Sequence, residues 1–423
     1  MRKLIIIGGG AAGLMAAVSA AEHGASVTIF EKMSSIGRKL LITGKGRCNI
    51  TNSCDIQTFI KNMPGNGPFL YSSFHNFDNH NIIDLLHRWG VQTKVERGGR
   101  VFPVSDQAKD VVKAFAKALD SLQVSIITGQ PVDSIKVDKN RVSGVMTKSG
   151  EFHTADAVIV TTGGASYPGT GSSGDGYDMA RKIGHTITPI KPSLVPLEVA
   201  EDWITDLQGL SLKNVSASVI AGGEKVAEEF GEMLFTHYGL SGPIILSLSK
   251  KVAEQLALKK EVAISINLKP ALSQDTLDKR IQRDFEKFAR KQIKNSLNEL
   301  LPAKLIDPVI DLAYLDPDKP VHQITKLERL RLLEVISGLT LTITKTRPVS
   351  EAIVTAGGVH IKEINPKTME SKLIADLYFA GEVIDIDGYT GGFNLQAAFS
   401  TGYVAGRHAA VKEQKGTLND GNY

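Results

Sequence analysis

Four apolar residues in a row, Leu4-Ile5-Ile6-Ile7, stand near the start of the chain. Three are β-branched and no polar residue alternates with them, which predicts a strand buried on both faces of a parallel sheet. Gly8, Gly9 and Gly10 interrupt the run, and the pattern changes to small residues in AAGLMAAVSAAEHG, a strong helix former that ends at Gly24. A second apolar run, Val27 to Phe30, ends on Glu31. Strand, glycine turn, helix and strand make one βαβ unit. Two later segments repeat the strand-into-turn pattern. Residues 155–164, ADAVIVTTGG, run into Thr162, Gly163 and Gly164, and residues 376–381, DLYFAG, run into Gly381 and Glu382. A glycine-rich loop then opens a small-residue helix from about Gly392 to Ala405.

The middle of the chain has a different rhythm. Residues 191–270 hold alternating runs such as VSASVI (215–220) and EVAISINL (261–268), which predict a mostly β module. From residue 273 the period becomes helical. Asp275 opens DTLDKRIQRDFEKFARKQIKNSLNELL, and further helices are expected around 303–313 and 325–337. PVSEAIVTAGGV (348–359) then returns to the first pattern. The expected fold is therefore α/β: a discontinuous Rossmann-like domain (1–190 and 350–423), an inserted β-barrel-like module (191–272 with 338–349) and a helical cap (273–337).

Length and glycine usage agree with more than one core. A single hydrophobic core rarely grows beyond about 250–300 residues, and this chain has 423. Its 40 glycines cluster in the first pattern, and between residues 251 and 350 only Gly338 occurs. Hydrophobic residues at 42% and charged residues at 22% exclude long-range disorder. Two cysteines, Cys48 and Cys54, cannot make a disulfide framework or a four-ligand zinc site, so no metal is expected and a reducing cytoplasm fits. They are six residues apart with no C-x-x-C, and Cys48 reads as a buried small hydrophobe rather than a redox thiol. The basic and apolar start resembles a secretory signal, but the glycines break its apolar run. No run is apolar enough to predict a membrane span. The net charge of +4 is too small to imply a nucleic-acid partner. One local run is basic: Lys279, Arg280, Arg283, Lys287, Arg290, Lys291 and Lys294. Its default reading is a solvated helix face, and its sharper reading is a polyanion patch that would take RNA.

Gly8, Gly10 and Gly13 have G-x-G-x-x-G spacing. The first glycine serves a tight turn, the second lets a pyrophosphate approach the backbone, and the third lets helix and strand pack closely. The helix N-terminus at Ala11 and Ala12 offers free N–H groups and a partial positive charge to phosphate. Glu31, 18 residues past Gly13, is placed to accept from both ribose hydroxyls. A carboxylate there repels a 2′-phosphate, so NADP is a poor fit to this turn, and both NAD and FAD satisfy it. Gly169, Gly171 and Gly174 repeat the spacing, but no strand runs directly into them and no acid follows at the right distance.

The three strand-turn segments together resemble the FAD domain of glutathione-reductase-type flavoproteins. GRKLLITGKGRCNITN (37–52), GGRVFPVSDQA (98–108), TTGGASYPGTGSSGDGY (161–177), FTHYGLSGPIILSLS (235–249) and residues 353–406 resemble the BaiN/YhiN-type family of FAD-binding oxidoreductases nearly end to end. Two positions depart from the usual pattern: Glu382 replaces an Asp, and Lys45 replaces the middle glycine of Gly-Gly-Gly-Arg-Cys-Asn. The resemblance implies FAD held by Gly8, Gly10, Ala11, Ala12, Gly13, Glu31 and Lys32. It assigns Arg38, Lys39 and the loop Thr43, Gly44, Gly46, Arg47, Cys48 and Asn49 to the pyrophosphate and flavin ring. It places the Val132 backbone against adenine. Thr162, Gly163, Gly164, Gly381 and Glu382 fall near the ribityl chain. Gly391, Gly392, Phe393 and Asn394 open a helix aimed at the flavin. It also implies hydride transfer to a polarised C=C bond of a small-molecule substrate, with Arg47, Tyr167 or His237 polarising or protonating it. Without a second Rossmann unit, an NAD(P)H donor would dock transiently. The alternatives are saturation of a uracil ring in ribosomal RNA, and a binding protein whose FAD is structural.

Overall fold

The computed structural model describes residues 1–411, so residues 412–423 of the expected segment 350–423 lie outside the described residues. The chain divides into two compact units. One comprises Met1–Lys191 and the chain from Val354 onward; the other is Pro192–Ile353.

The first unit is built on a five-stranded sheet. Its spatial order is Leu377–Phe379, Ala157–Val160, Lys3–Ile7, Ser26–Glu31 and Ser125–Thr128, and every adjacent pair is parallel. Leu4 to Ile7 and Ala157 to Val160 are buried throughout, which is why these strands show no polar alternation. The helix Ala11–Glu22 follows the glycine turn, and the helix Phe393–Ala410 packs on it. Two further glycines permit that contact. A Cβ at Gly402 would lie 2.3 Å from Ala12 O, and one at Gly406 would lie 2.2 Å from Ala16 O. Only bare backbone fits there. Ser19 Oγ donates to Tyr403 O at 2.8 Å and ties the same pair of helices.

Two small three-stranded antiparallel sheets also belong to this unit. One joins Val132–Asp138, Arg141–Thr147 and Phe152–Thr154, so segment 124–137 supplies strands to two different sheets. The other joins Thr51–Asn52, Arg100–Pro103 and Thr93–Glu96.

The second unit has its own core around a closed six-stranded barrel, in the order Leu197–Val199, Gly239–Ser241, Glu224–Thr236, Ser211–Ala221, Val262–Asn267 and Leu339–Thr346. A helix at Pro243–Ala257 interrupts the β pattern. Its proline sits in the first turn, where a missing N–H costs nothing. The helix expected to begin at Asp275 and run to the end of NELL is shorter. It is Gln274–Lys287, capped by Ser273 Oγ accepting from Thr276 N–H. Beyond Phe288 the chain turns away, because Gln292 pairs with Pro320 in a β-bridge and Ile293 N–H donates to Lys319 O. The helices Ala303–Leu312 and Lys326–Ser337 follow, the latter with a Thr325–Glu328 capping box. No helix among the described residues is long and apolar enough to cross a membrane.

Candidate cofactor site

The C-terminal ends of the parallel strands carry the glycine turns. Gly8 has φ 105, and its N–H donates to Phe30 O at 2.8 Å. A Cβ at Gly13 would lie 2.0 Å from Gly8 O, so this glycine is required by helix-to-strand packing. Gly10 differs. A Cβ there would meet nothing within 4 Å, and no side chain caps the helix that begins at Ala11. The first N–H groups of that helix have no helical acceptor ahead of them. Open space at Gly10 in front of such donors is a cradle that a phosphate fills.

Glu31 is buried at the end of its strand. Its Oε2 accepts from Gly9 N–H at 2.7 Å and Oε1 from Met33 N–H at 2.8 Å. Each carboxylate oxygen keeps a lone pair for a ribose hydroxyl. The segment leading to Val132 is fastened alongside: Gly129 N–H donates to Met33 O at 2.9 Å and Gln130 N–H to Glu31 O at 3.2 Å. Val132 itself is buried. Lys32 Nζ donates to Ser173 Oγ and pairs with Asp175 at 2.6 Å, so its charge is already matched by a protein carboxylate.

A second cluster joins the short helix Arg38–Ile42 to both later turns. Lys39 Nζ pairs with Glu382 Oε2 at 2.7 Å and donates to Ser166 Oγ at 2.8 Å. Glu382 Oε1 accepts from Thr355 N–H at 2.8 Å and from Ser166 Oγ at 3.2 Å. Burial pushes the Glu382 carboxyl up, but the Lys39 ammonium, the Thr355 N–H and the Ser166 hydroxyl outweigh it and hold it below its ordinary range. Gly164 is pressed into this cluster, since a Cβ there would lie 2.4 Å from Thr355 Oγ1. Gly163 and Gly381 have φ 73 and 76, which glycine adopts without strain. Among the described residues Thr162 Oγ1 is buried without a hydrogen-bond partner, 2.1 Å from where a Cβ would stand at Gly176. Neither Ser166 nor Thr355 is among the site residues expected from the sequence, although both lie in segments that carry the resemblance. Arg38 has no hydrogen-bond or ion-pair partner among the described residues.

The loop Thr43–Gly46 is a tight turn with left-handed backbone at Gly44, Lys45 and Gly46. Lys45 adopts φ 60 despite its side chain. Thr43 O accepts from Cys48 N–H at 3.0 Å. Cys48 is fully buried, and burial pushes its thiol up to about 12; Cys54 is pushed up to about 11, first by burial and then by Asp55. Both remain thiols at neutral pH, so neither is poised as a nucleophile.

The helix Phe393–Ala410 starts beside this loop. Gly391 and Gly392 have φ 131 and 100, and a Cβ at Gly392 would lie 2.3 Å from Thr51 O. With its amide oriented to satisfy both groups, Asn49 accepts from Gly392 N–H at 3.0 Å and donates to Thr51 O at 3.2 Å. A buried polar chain lies beneath: Thr51 Oγ1 donates to Gln396 Oε1 at 2.7 Å, Gln396 Nε2 to Ser400 Oγ at 2.9 Å, and Ser400 Oγ to Phe77 O at 2.6 Å. The side chains of Phe393 and Asn394 support the turn. Phe393 packs edge-on to Phe59 with centroids 5.4 Å apart, and Asn394 bonds the Gly388 N–H and C=O at 2.8 and 2.7 Å.

The residues expected to polarise a substrate sit in three different settings. Arg47 is held by Glu96 and by Asp106, the latter at 2.7 Å, and lies 4.0 Å over the Phe102 ring. Those hydrogen bonds, Glu96 first, push its guanidinium up and share out its charge. Tyr167 is exposed at φ 53, an unusual backbone for an aromatic residue, in the turn whose O accepts from Thr170 Oγ1. His237 belongs to the second unit. It is exposed beside Tyr238, whose ring carries Arg347 at 4.6 Å, and Arg347 in turn pairs with Glu198 and Glu351. In the basic run, Arg280 pairs with Asp284, Lys287 with Glu299 and Lys294 with Asp318, so much of its charge is locally offset.

A parallel sheet with a phosphate cradle at its first turn, an acid at the ribose position and a glycine-fronted helix N-terminus nearby fits a dinucleotide. The family model described as HI0933-like protein Rossmann domain matches residues 2–408. The chain belongs to this family. Members of this family are FAD-binding oxidoreductases. Over 415 residues it is 33% identical to the 3-dehydro-bile acid delta(4,6)-reductase of Clostridium scindens, covering 97% of this chain and 100% of that one. Over 404 residues it is 32% identical to the ribosomal RNA dihydrouridine synthase of Haemophilus influenzae, covering 95% and 96%. Among solved structures it resembles a 3-ketosteroid delta1-dehydrogenase from Sterolibacterium denitrificans, with TM-score 0.55 and 14% identity over 97% of this chain and 100% of that one. A 3-ketosteroid-delta4-(5alpha)-dehydrogenase from Rhodococcus jostii gives TM-score 0.53 at 15% identity, covering 97% of each chain. At such identities the likeness is one of fold.

Proposed function

We propose that this protein passes hydride from reduced FAD to a polarised C=C bond of a small organic substrate, with NAD(P)H or another donor restoring the reduced cofactor. When bound, FAD supplies reversible two-electron storage. The observation that carries the reading is the Gly391–Gly392 helix N-terminus, fixed by Asn49 and Thr51 in the same unit as the phosphate cradle. A helix N-terminus stabilises negative charge placed against it, and glycines let a planar ring approach its backbone. Gly8, Gly10, Gly13 and the Ala11 and Ala12 N–H groups would hold the pyrophosphate, and Glu31 the ribose. The Lys39–Glu382–Ser166 cluster would bind and orient the ribityl side. The bile-acid reductase supports the C=C chemistry, since its name denotes that class of reaction.

Reduction also needs a proton at the adjacent carbon. Tyr167 and His237 are the proposed donors; Arg47, held by two carboxylates, would position rather than polarise. The test is anaerobic mixing of the reduced protein with cyclic enones. Reoxidation with a saturated product is expected, slowed in Tyr167→Phe or His237→Ala with a changed pH profile. Failure of every acceptor except oxygen would leave FAD a structural role.

A second reading is saturation of uracil in ribosomal RNA, favoured by the 32% identical relative of that name. It too reduces a C=C bond conjugated to a carbonyl. Unmodified ribosomal RNA as oxidant, followed by assay for dihydrouridine, separates the two.

A further inference from the structure

The turn Arg97–Gly99 is joined to the helix N-terminus at Gly391 by one side chain. Asn52 Nδ2 donates to Gly98 O at 2.9 Å and to Gly391 O at 3.0 Å. Ser53 N–H donates to Gly99 O at 2.7 Å, so consecutive carbonyls of the turn are anchored. Gly98 and Gly99 are both left-handed, with φ 78 and 74. Their missing side chains face different ways. A Cβ at Gly99 would lie 2.4 Å from Asn52 Oδ1, whereas one at Gly98 would meet nothing within 4 Å. The turn therefore presents bare backbone to open space at Gly98.

Arginines flank that bare position. Arg97 and Arg100 are exposed, and neither has a carboxylate within ion-pair distance among the described residues. Among the described residues Arg100 Nε donates to Arg97 O at 3.1 Å and its guanidinium lies 5.9 Å from the Phe102 ring centroid, so no carboxylate holds the end of its fork. The acids of this region are already engaged: Glu96 and Asp106 hold Arg47, and Asp106 pairs with Lys94 at 2.6 Å. Two unmatched guanidinium forks beside an open glycine turn are suited to bidentate binding of phosphate oxygens.

We infer that the Arg97–Arg100 turn binds the phosphates of the reduced pyridine nucleotide that serves as donor, an inference that rests on the FAD reading above. With the Gly8–Gly13 cradle given to FAD, a second dinucleotide needs another phosphate site. The spacing at Gly169, Gly171 and Gly174 does not provide one, since the helix it opens, Asp175–Lys182, carries Asp175 and Asp178 in its first turn, where they repel a phosphate. Side-chain forks are another means of holding a pyrophosphate. The link through Asn52 places the Gly98 backbone, between the two arginines, one residue's reach from the helix N-terminus at Gly391.

The test uses the full-length FAD-loaded protein and the variants Arg97→Gln, Arg100→Gln and the double variant. Stopped-flow reduction by NADPH and by NADH gives a Kd and a limiting rate for each. The double variant should raise Kd about tenfold or more and flatten its dependence on salt, with the limiting rate changed less than about twofold. Calorimetric titration of the oxidised protein with NADP⁺ reads the same loss without turnover, and inorganic pyrophosphate should compete with the nucleotide in the wild type but not in the double variant. Unchanged Kd values in variants of a protein that NAD(P)H does reduce would overturn the assignment while leaving the FAD reading intact. So would a defect confined to an acidic enone acceptor, which would give the turn to the acceptor's carboxylate. A wild type that binds FAD but that neither nucleotide binds or reduces would overturn it through the identity of the donor.

Discussion

Gly10 and Gly13 belong to one turn, but the spaces left by their missing side chains are different. Gly13 abuts the Gly8 carbonyl, while Gly10 faces open space with φ −84, which alanine adopts freely. Gly10→Ala should therefore change the stability of the cofactor-free protein by no more than about 0.5 kcal/mol and weaken FAD binding. Gly13→Ala should cost about 1–3 kcal/mol of stability by overpacking. Thermal melts with and without FAD separate the two effects. The Lys39–Glu382 pair makes a pH-dependent prediction. A carboxyl held below its ordinary value of 4.5 contributes stability above that pH, and the contribution fades as the pH falls through the folded-state value. Lys39→Met should cost about 1–3 kcal/mol at neutral pH by stranding the carboxylate, and the deficit should shrink below pH 4.5 as Glu382 takes up its proton. A deficit constant over that range would contradict the pairing.

Helix-to-helix packing carries the next prediction. Gly406→Ala improves intrinsic helix propensity by about 1 kcal/mol, yet its methyl would lie 2.2 Å from Ala16 O. Packing decides the sign, and denaturant unfolding should show net destabilisation of about 1–3 kcal/mol. The same contact shows what was legible in the sequence. The apolar runs, Gly8 to Gly13 and Glu31 could be read because strand, turn and helix are local and periodic. Gly402 and Gly406 could not, since nothing near them in the chain announces Ala12 and Ala16 as neighbours. Ser166 and Thr355 meet Glu382 across gaps in sequence that no period spans. The Asn394 amide bonds the Gly388 N–H and C=O, a contact that its place in a motif does not announce. The basic run looked like one helix because its polar pattern continues past Lys287; the β-bridge of Gln292 with Pro320 ends that helix.

At the scale of the whole chain, the glycine-rich pattern and the cofactor cradle fall in one unit and the barrel with its helices in the other. The basic run lies in the second, where Asp284, Glu299 and Asp318 offset part of its charge. If ribosomal RNA is not the acceptor, charge reversal at Arg283, Lys287 and Lys291 should leave RNA affinity and its salt slope unchanged in filter binding; a flattened slope would favour the RNA reading. The proposed reduction of a polarised C=C bond can be followed in a single turnover. Reduced FAD-loaded protein is mixed anaerobically with a cyclic enone while the flavin spectrum is followed. The oxidised-flavin band should return, with one saturated product formed per flavin. A spectrum that stays reduced with every enone and with unmodified ribosomal RNA, and recovers only when oxygen is admitted, would contradict it.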